Sequence, residues 1–146
     1  MLVLHEELAI DKPVQAVWPT LFKYHLWNPE HIGAKVTRVA GTPDQEGDLI
    51  LEYKKHGDAY LPPIAIEIVK IIPYRKLVWR LFEPGDNAEM GFVDFTLETA
   101  DNGTRLVYNS YGEIPLARLP ELPSADELRA QLARIFGALK KYIEGR

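Results

Sequence analysis

The sequence predicts an α+β fold: a strongly twisted, curved antiparallel sheet of seven strands wrapped around one long C-terminal helix, with two short helices between strands 1 and 2. Three observations predict it. Short segments with apolar residues at alternate positions follow one another from residue 34 to residue 113, separated by turn residues, as hairpin succession requires. Only the last stretch carries a long apolar stripe at helical spacing. The 146 residues suit a single domain, 1–146, able to bury about 70% of the surface of its unfolded chain.

Leu2 to Ile10 reads as a strand with Leu2, Leu4, Leu8 and Ile10 on one face and Glu6 as the odd member of it. Pro13 suits a first helical turn, and Val14, Val17, Trp18, Leu21 and Phe22 follow at spacings of three and four. Pro19 lies inside that run and removes a backbone donor, so a kink or a short helix is expected. Trp27 belongs to a second short helix or turn that ends at Asn28-Pro29.

Strands are expected at 34–40, 48–54, 64–72, 76–82, 90–99 and 104–113, with a longer loop at 55–63. Asn102-Gly103 is a preferred centre for a two-residue hairpin turn. With these two as the central pair, Thr99 faces Leu106, Leu97 faces Tyr108 and Phe95 faces Ser110. Ser124-Ala125-Asp126-Glu127 has the pattern of a capping box. Leu128, Leu132, Ile135, Phe136, Leu139, Tyr142 and Ile143 then form the stripe of a helix about 30 Å long. That stripe has only the sheet to pack against.

Composition excludes several classes. Apolar residues are 47% and charged residues 26%, ordinary for a folded globular domain and unlike a disordered or fibrous chain. A net charge of -4 leaves no basic surplus for nucleic acid. No cysteine is present, which removes disulfides, thiol catalysis and Cys-based metal sites. The longest apolar runs, such as Ile64-Ala65-Ile66, are too short to span a membrane. The opening MLVLHEEL has no secretory pattern, so a cytoplasmic location is expected. His25 and His31 are six apart and flank Trp27-Asn28-Pro29, without the i, i+4 spacing of helical metal ligands, so no metal site is expected. Phosphate loops and nucleophile elbows are absent too, and no cofactor is expected.

Alternation puts Leu51, Tyr53, Trp79, Phe95, Leu97, Tyr108 and Ser110 on the inward face of the sheet, beneath Leu132, Ile135, Phe136 and Leu139, with Trp27 closing one side. The hydroxyls of Tyr53, Tyr108 and Ser110 need partners if buried, and three on one apolar face point to a wet or ligand-bearing interior. Hairpin succession brings the connections 55–63, 83–89 and 113–123 to one end of the sheet. An entrance there would be rimmed by His56, Asp58, Tyr60, Leu61, Pro62, Leu116 and Leu119.

Certain residues carry a resemblance. Ile10-Asp11-Lys12-Pro13-Val14-Gln15-Ala16-Val17-Trp18 is similar to the opening of the START/polyketide-cyclase-like (SRPBCC) superfamily. Trp27, Gly47, the turn and strand Pro73 with Lys76-Leu77-Val78-Trp79, and the ending Phe136 to Glu144 also resemble it, so the resemblance runs the length of the chain. Pro19 departs from the family pattern, which continues its helix there. The resemblance implies a helix-grip fold with a cavity between sheet and long helix. It also implies Val69, Ile71 and hence Glu67 on the inward face, where desolvation would raise a carboxyl's pKa toward neutrality.

Three readings of function follow from the resemblance. The leading one is an intracellular binding or carrier domain for a small apolar or aromatic molecule, with no nucleic-acid partner. The alternative is a cyclase- or dehydratase-type enzyme using Glu67, Glu6 or Tyr108 as acid or base. The second alternative is a protein-interaction module like chaperone-activator relatives, using the strip Phe92, Val107 and Tyr111.

Overall fold

The computed structural model describes residues 2–85, 89–112 and 125–145. In chain order it contains β1 (Leu2–Ile10), α1 (Val14–Phe22), α2 (Tyr24–Trp27), β2 (Lys35–Ala40), β3 (Leu49–Tyr53), β4 (Lys55–His56), β5 (Ala59–Tyr60), β6 (Ile64–Ile72), β7 (Lys76–Phe82), β8 (Glu89–Ala100), β9 (Gly103–Gly112) and α3 (Ala125–Glu144). Seven strands form one antiparallel sheet in the order β1-β9-β8-β7-β6-β3-β2. The stretch expected as a loop at 55–63 contains the separate small hairpin β4-β5.

Each short helix has a local cause. Pro19 has no N–H to give the Gln15 carbonyl, and α1 stops at Phe22 after nine residues. The Lys23 N–H turns back to the Thr20 carbonyl at 3.1 Å, and α2 starts one residue later. The chain thereby bends around one end of α3. Val17 and Leu21 of α1 join Leu132, Phe136, Leu139 and Ile143 of α3 over the concave face of the sheet, which supplies Ile10, Leu77, Leu97 and Leu106. Ser124, the expected N-cap, lies outside the described residues.

The β8-β9 hairpin differs from its expected register by two positions. Ala100 pairs Gly103, Leu97 pairs Leu106 and Phe95 pairs Tyr108, so Asp101 and Asn102 are the central residues. Asp101 takes the positive φ, 54°, a conformation that Asp tolerates better than most residues. Gly103 is needed for another reason: a Cβ there would sit 2.4 Å from the Ile10 carbonyl oxygen at the end of β1. A shift of two leaves every side chain on its expected face.

Two strands do change face. In β3 the buried residues are Ile50 and Glu52, so Leu51 and Tyr53 lie on the convex side, against expectation. Pairing fixes this: Ile50 is opposite Ile66, and Leu51 opposite Ala65. In β6 the register shifts between Ile68 and Lys70. The extra residue, Val69, is exposed, and the bulge lets both Ile68 and Ile71 reach the core. Before the bulge, Ile66 and Ile68 point inward, and Glu67 therefore points outward.

Gly103→Ala is expected to lower stability by about 1–3 kcal/mol, because its steric partner is backbone. Gly137, on α3, has nothing within 4 Å of an added Cβ. Gly137→Ala is expected to raise stability by about 0.5–1 kcal/mol through helix propensity. Urea unfolding of the two variants checks both signs, and a neutral Gly103→Ala would contradict the hairpin packing.

Candidate functional site

A cavity of about 260 Å³ opens between the first turns of α3 and the end of the sheet where β7 and β9 finish and β1, β6 and β8 begin. Its wall is a run of aromatic rings. Trp79 meets Phe95 edge-on at 5.5 Å between centroids, Phe95 meets Tyr108 at 5.3 Å, and Tyr108 meets Phe136 at 5.2 Å. Leu4, Leu81, Val93, Leu128 and Leu132 complete the apolar part. Asn28, Glu30, His31 and Lys54 make one side polar.

Of the residues expected to meet a ligand, Trp27, Trp79, Phe95, Tyr108, Ser110, Leu132 and Phe136 line this cavity. Trp27 is fixed by its indole N–H, which donates to the Thr20 carbonyl at 2.7 Å. Burial pushes the Tyr108 phenol up from its ordinary pKa, and the neighbouring Ser110 hydroxyl offsets part of that. Tyr108 and Ser110, two apart on β9, lie on the same face of the sheet and both belong to the cavity wall. The cavity lies at the end of the sheet where an entrance was expected. His56, Asp58, Tyr60, Leu61 and Pro62 are nevertheless exposed and outside its wall, and Leu116 and Leu119 fall outside the described residues.

Four expected inward residues need correction or qualification. Leu51 and Tyr53 are on the convex face, where the Tyr53 ring carries Lys35 Nζ at 5.5 Å. Glu67 is on that face too, opposite Arg80, with its carboxylate 3.6 Å from Arg80 Nε. The sheet's outer surface is not uniformly polar here: Ala65 and Phe82 are buried on it, and the Arg80 guanidinium covers the Phe82 ring at 4.2 Å. Glu6 is half-buried on the concave face opposite Tyr108 but is not part of the cavity wall. Phe92 and Tyr111 stack on each other across β8 and β9 at 5.8 Å.

The inner place expected for Leu51 and Tyr53 is taken by Ile50 and Glu52. Glu52 is only 1% exposed. Burial by itself would push its carboxyl up; the imidazoles of His25 and His31 outweigh that and hold it at about 2. His31 Nδ1 lies 2.5 Å from Oε1, and His25 Nε2 lies 3.4 Å from Oε2. The second contact is poorly directed, and both His25 Nε2 and Glu52 Oε2 are buried without a hydrogen-bond partner. Asn28 shapes the turn that delivers His31: its side chain accepts the Glu30 N–H at 2.9 Å, and its carbonyl accepts the His31 N–H at 2.9 Å. Tyr24 packs against both imidazoles, at 4.1 and 4.9 Å between centroids. A second cavity of about 160 Å³ lies on the His25 side, bordered by Arg38, Asp44 and Asp48.

Sequence spacing did not reveal this cluster, because 21 residues separate His31 from Glu52 and the sheet register alone unites them. The usable signal was the partner strand: Ile50 opposite Ile66 makes Glu52, two residues on, an inward carboxylate.

No family model matches the chain, and no curated protein matches it. Solved structures do. A protein from Chromobacterium violaceum is 12% identical, with 99% of each chain covered and a TM-score of 0.71. Ara h 8.0201 is 16% identical, with 99% of each covered and a TM-score of 0.70. Aha1 from Colwellia psychrerythraea, solved as a dimer, is 15% identical, covering 99% of this chain and 97% of that one, at a TM-score of 0.60. At such identities the likeness shows the fold alone, a helix-grip, the fold that the resemblance in the sequence implied.

Two substitutions separate the faces. Glu67→Gln is expected to change stability by less than about 1 kcal/mol, as for a half-exposed ion pair. Phe136→Ala is expected to cost about 3 kcal/mol, the low end for a buried ring, since one side already borders a void. Thermal melts of both variants check the assignment, and the reverse order would place Glu67 inside.

Proposed function

We propose that this chain is a binding or carrier domain for a small, mainly apolar or aromatic molecule that carries one polar group. The observation behind this reading is the aromatic-lined cavity with Tyr108 and Ser110 in its wall. Binding sites commonly pair an apolar lining with a few polar groups that orient the guest. At about 260 Å³ the space lies just below the usual range of roughly 300–1,000 Å³ for drug-sized ligands. The guest is therefore of one- or two-ring size, not a lipid.

Energetics agree with modest affinity. Burying roughly 200 Å² of apolar surface gives about 5 kcal/mol before the cost of association is subtracted. The polar side, with Asn28, Glu30, His31 and Lys54, suits a guest whose oxygen or nitrogen atoms project toward it. No helix among the described residues is long and apolar enough to cross a membrane.

Naphthalene and 2-naphthol serve as probes. Both are expected to quench the tryptophan fluorescence saturably, through Trp27 and Trp79 in the wall, and to raise Tm. Tyr108→Phe is expected to weaken 2-naphthol binding several-fold, the worth of one hydrogen bond, and to leave naphthalene unchanged. Native mass spectrometry of freshly purified protein then identifies a retained guest. If neither probe quenches the tryptophan fluorescence or shifts Tm, the binding reading fails.

A further inference from the structure

Glu52 presents a problem of charge. Its carboxyl group is buried in the sheet's inner face and accompanied by two imidazoles and no Lys or Arg within ion-pair distance among the described residues. One carboxylate oxygen and one imidazole nitrogen, Glu52 Oε2 and His25 Nε2, are buried, 3.4 Å apart and unsatisfied. Buried polar atoms seldom stay unpaired.

We propose that His25, His31 and Glu52 form a binding site for a divalent transition metal of the zinc class. One ligand atom from each residue lies within 4.8 Å of the others. Atoms on a tetrahedron around Zn²⁺, with arms of about 2.1 Å, stand about 3.4 Å apart. His25 Nε2 already stands at that separation from Glu52 Oε2, while His31 Nδ1, 2.5 Å from the other oxygen, Oε1, would have to draw back by about 1 Å, with the three donor atoms starting within 4.8 Å of one another. Two imidazoles and one carboxylate are a donor set suited to zinc and its first-row neighbours, leaving a fourth position for water or another oxygen. The ligands are pre-positioned. Tyr24 packs on both rings, Asn28 fixes the backbone of His31, and β3 fixes Glu52 between its partners β2 and β6. His31 borders the larger cavity and His25 the smaller one, so an ion has a route in from either side.

The test uses the full chain stripped of metal with a chelator and dialysed. Zn²⁺ is titrated in competition with a chromophoric chelator, and Co²⁺ is added separately for its visible absorption. The expected result is one ion per chain and an intense Co²⁺ spectrum of low coordination number. Glu52→Gln and His31→Asn are each expected to weaken Zn²⁺ binding at least tenfold, while the double variant His5→Ala/His56→Ala, at exposed histidines, binds as the parent does. His25→Asn, the most exposed member of the cluster, provides a third variant should either of the first two fail to fold. Absence of saturable 1:1 binding to the parent protein overturns the proposal. So does binding that survives Glu52→Gln and disappears with the exposed histidines.

Discussion

One helix has to cover the concave face of seven strands, and the rest of the structure follows from that mismatch. Strands spaced about 4.8 Å apart make a sheet nearly 30 Å across, whereas a helix with its side chains is about 10–12 Å wide. Curvature closes part of the gap. The short helices α1 and α2 close another part at one end, and Pro19 keeps α1 short enough for the chain to turn there. Beside the start of α3, among the described residues, α2 and the turn after it reach one side of the space and leave the rest unfilled. Large aromatic side chains narrow it without closing it, and the cavity is what remains.

The same mismatch explains how a carboxylate can be buried on β3. The strand lies near the sheet edge, away from the axis of α3, and α2 with the turn after it is the layer that covers it. That layer presents two imidazoles and a tyrosine ring instead of an aliphatic stripe. An ionised carboxylate there would be strongly disfavoured without a compensating positive charge. Imidazole is the side chain able to supply that charge itself or to hold a cation that does. Glu67, one β-strand over, shows the contrast: it faces outward toward Arg80 in partial contact with water, and no such demand arises.

Much of this was legible in the sequence, for identifiable reasons. The stripe from Leu128 to Ile143 has one face at helical spacing and admits no other reading. The hairpin faces of β8 and β9 were legible because the apolar and polar faces differ so sharply, even though Gly103 proved to serve contact with Ile10 instead of the turn. Where both faces of a strand are partly apolar, alternation lost its power. In β3 the convex residues Leu51 and Tyr53 are sheltered by Ala65 and Lys35, so they look like core, and Glu52 looks like surface. In β6 an apolar run hides the bulge at Val69, and with it the phase that turns Glu67 outward. The cluster of His25, His31 and Glu52 depends on both features and on the register of β3 with β6.

The segment from Tyr24 to His31 therefore does two jobs with one set of residues. Trp27 and His31 form part of the cavity wall, and His25 and His31 hold Glu52. Tyr24 borders both cavities and packs edge-on against Trp79 at 5.6 Å, so the aromatic wall and the imidazole pair are in direct contact. Within this segment His31 both bonds across to β3 and borders the larger cavity. Any rearrangement of its ring therefore touches both the cavity wall and the hold on Glu52.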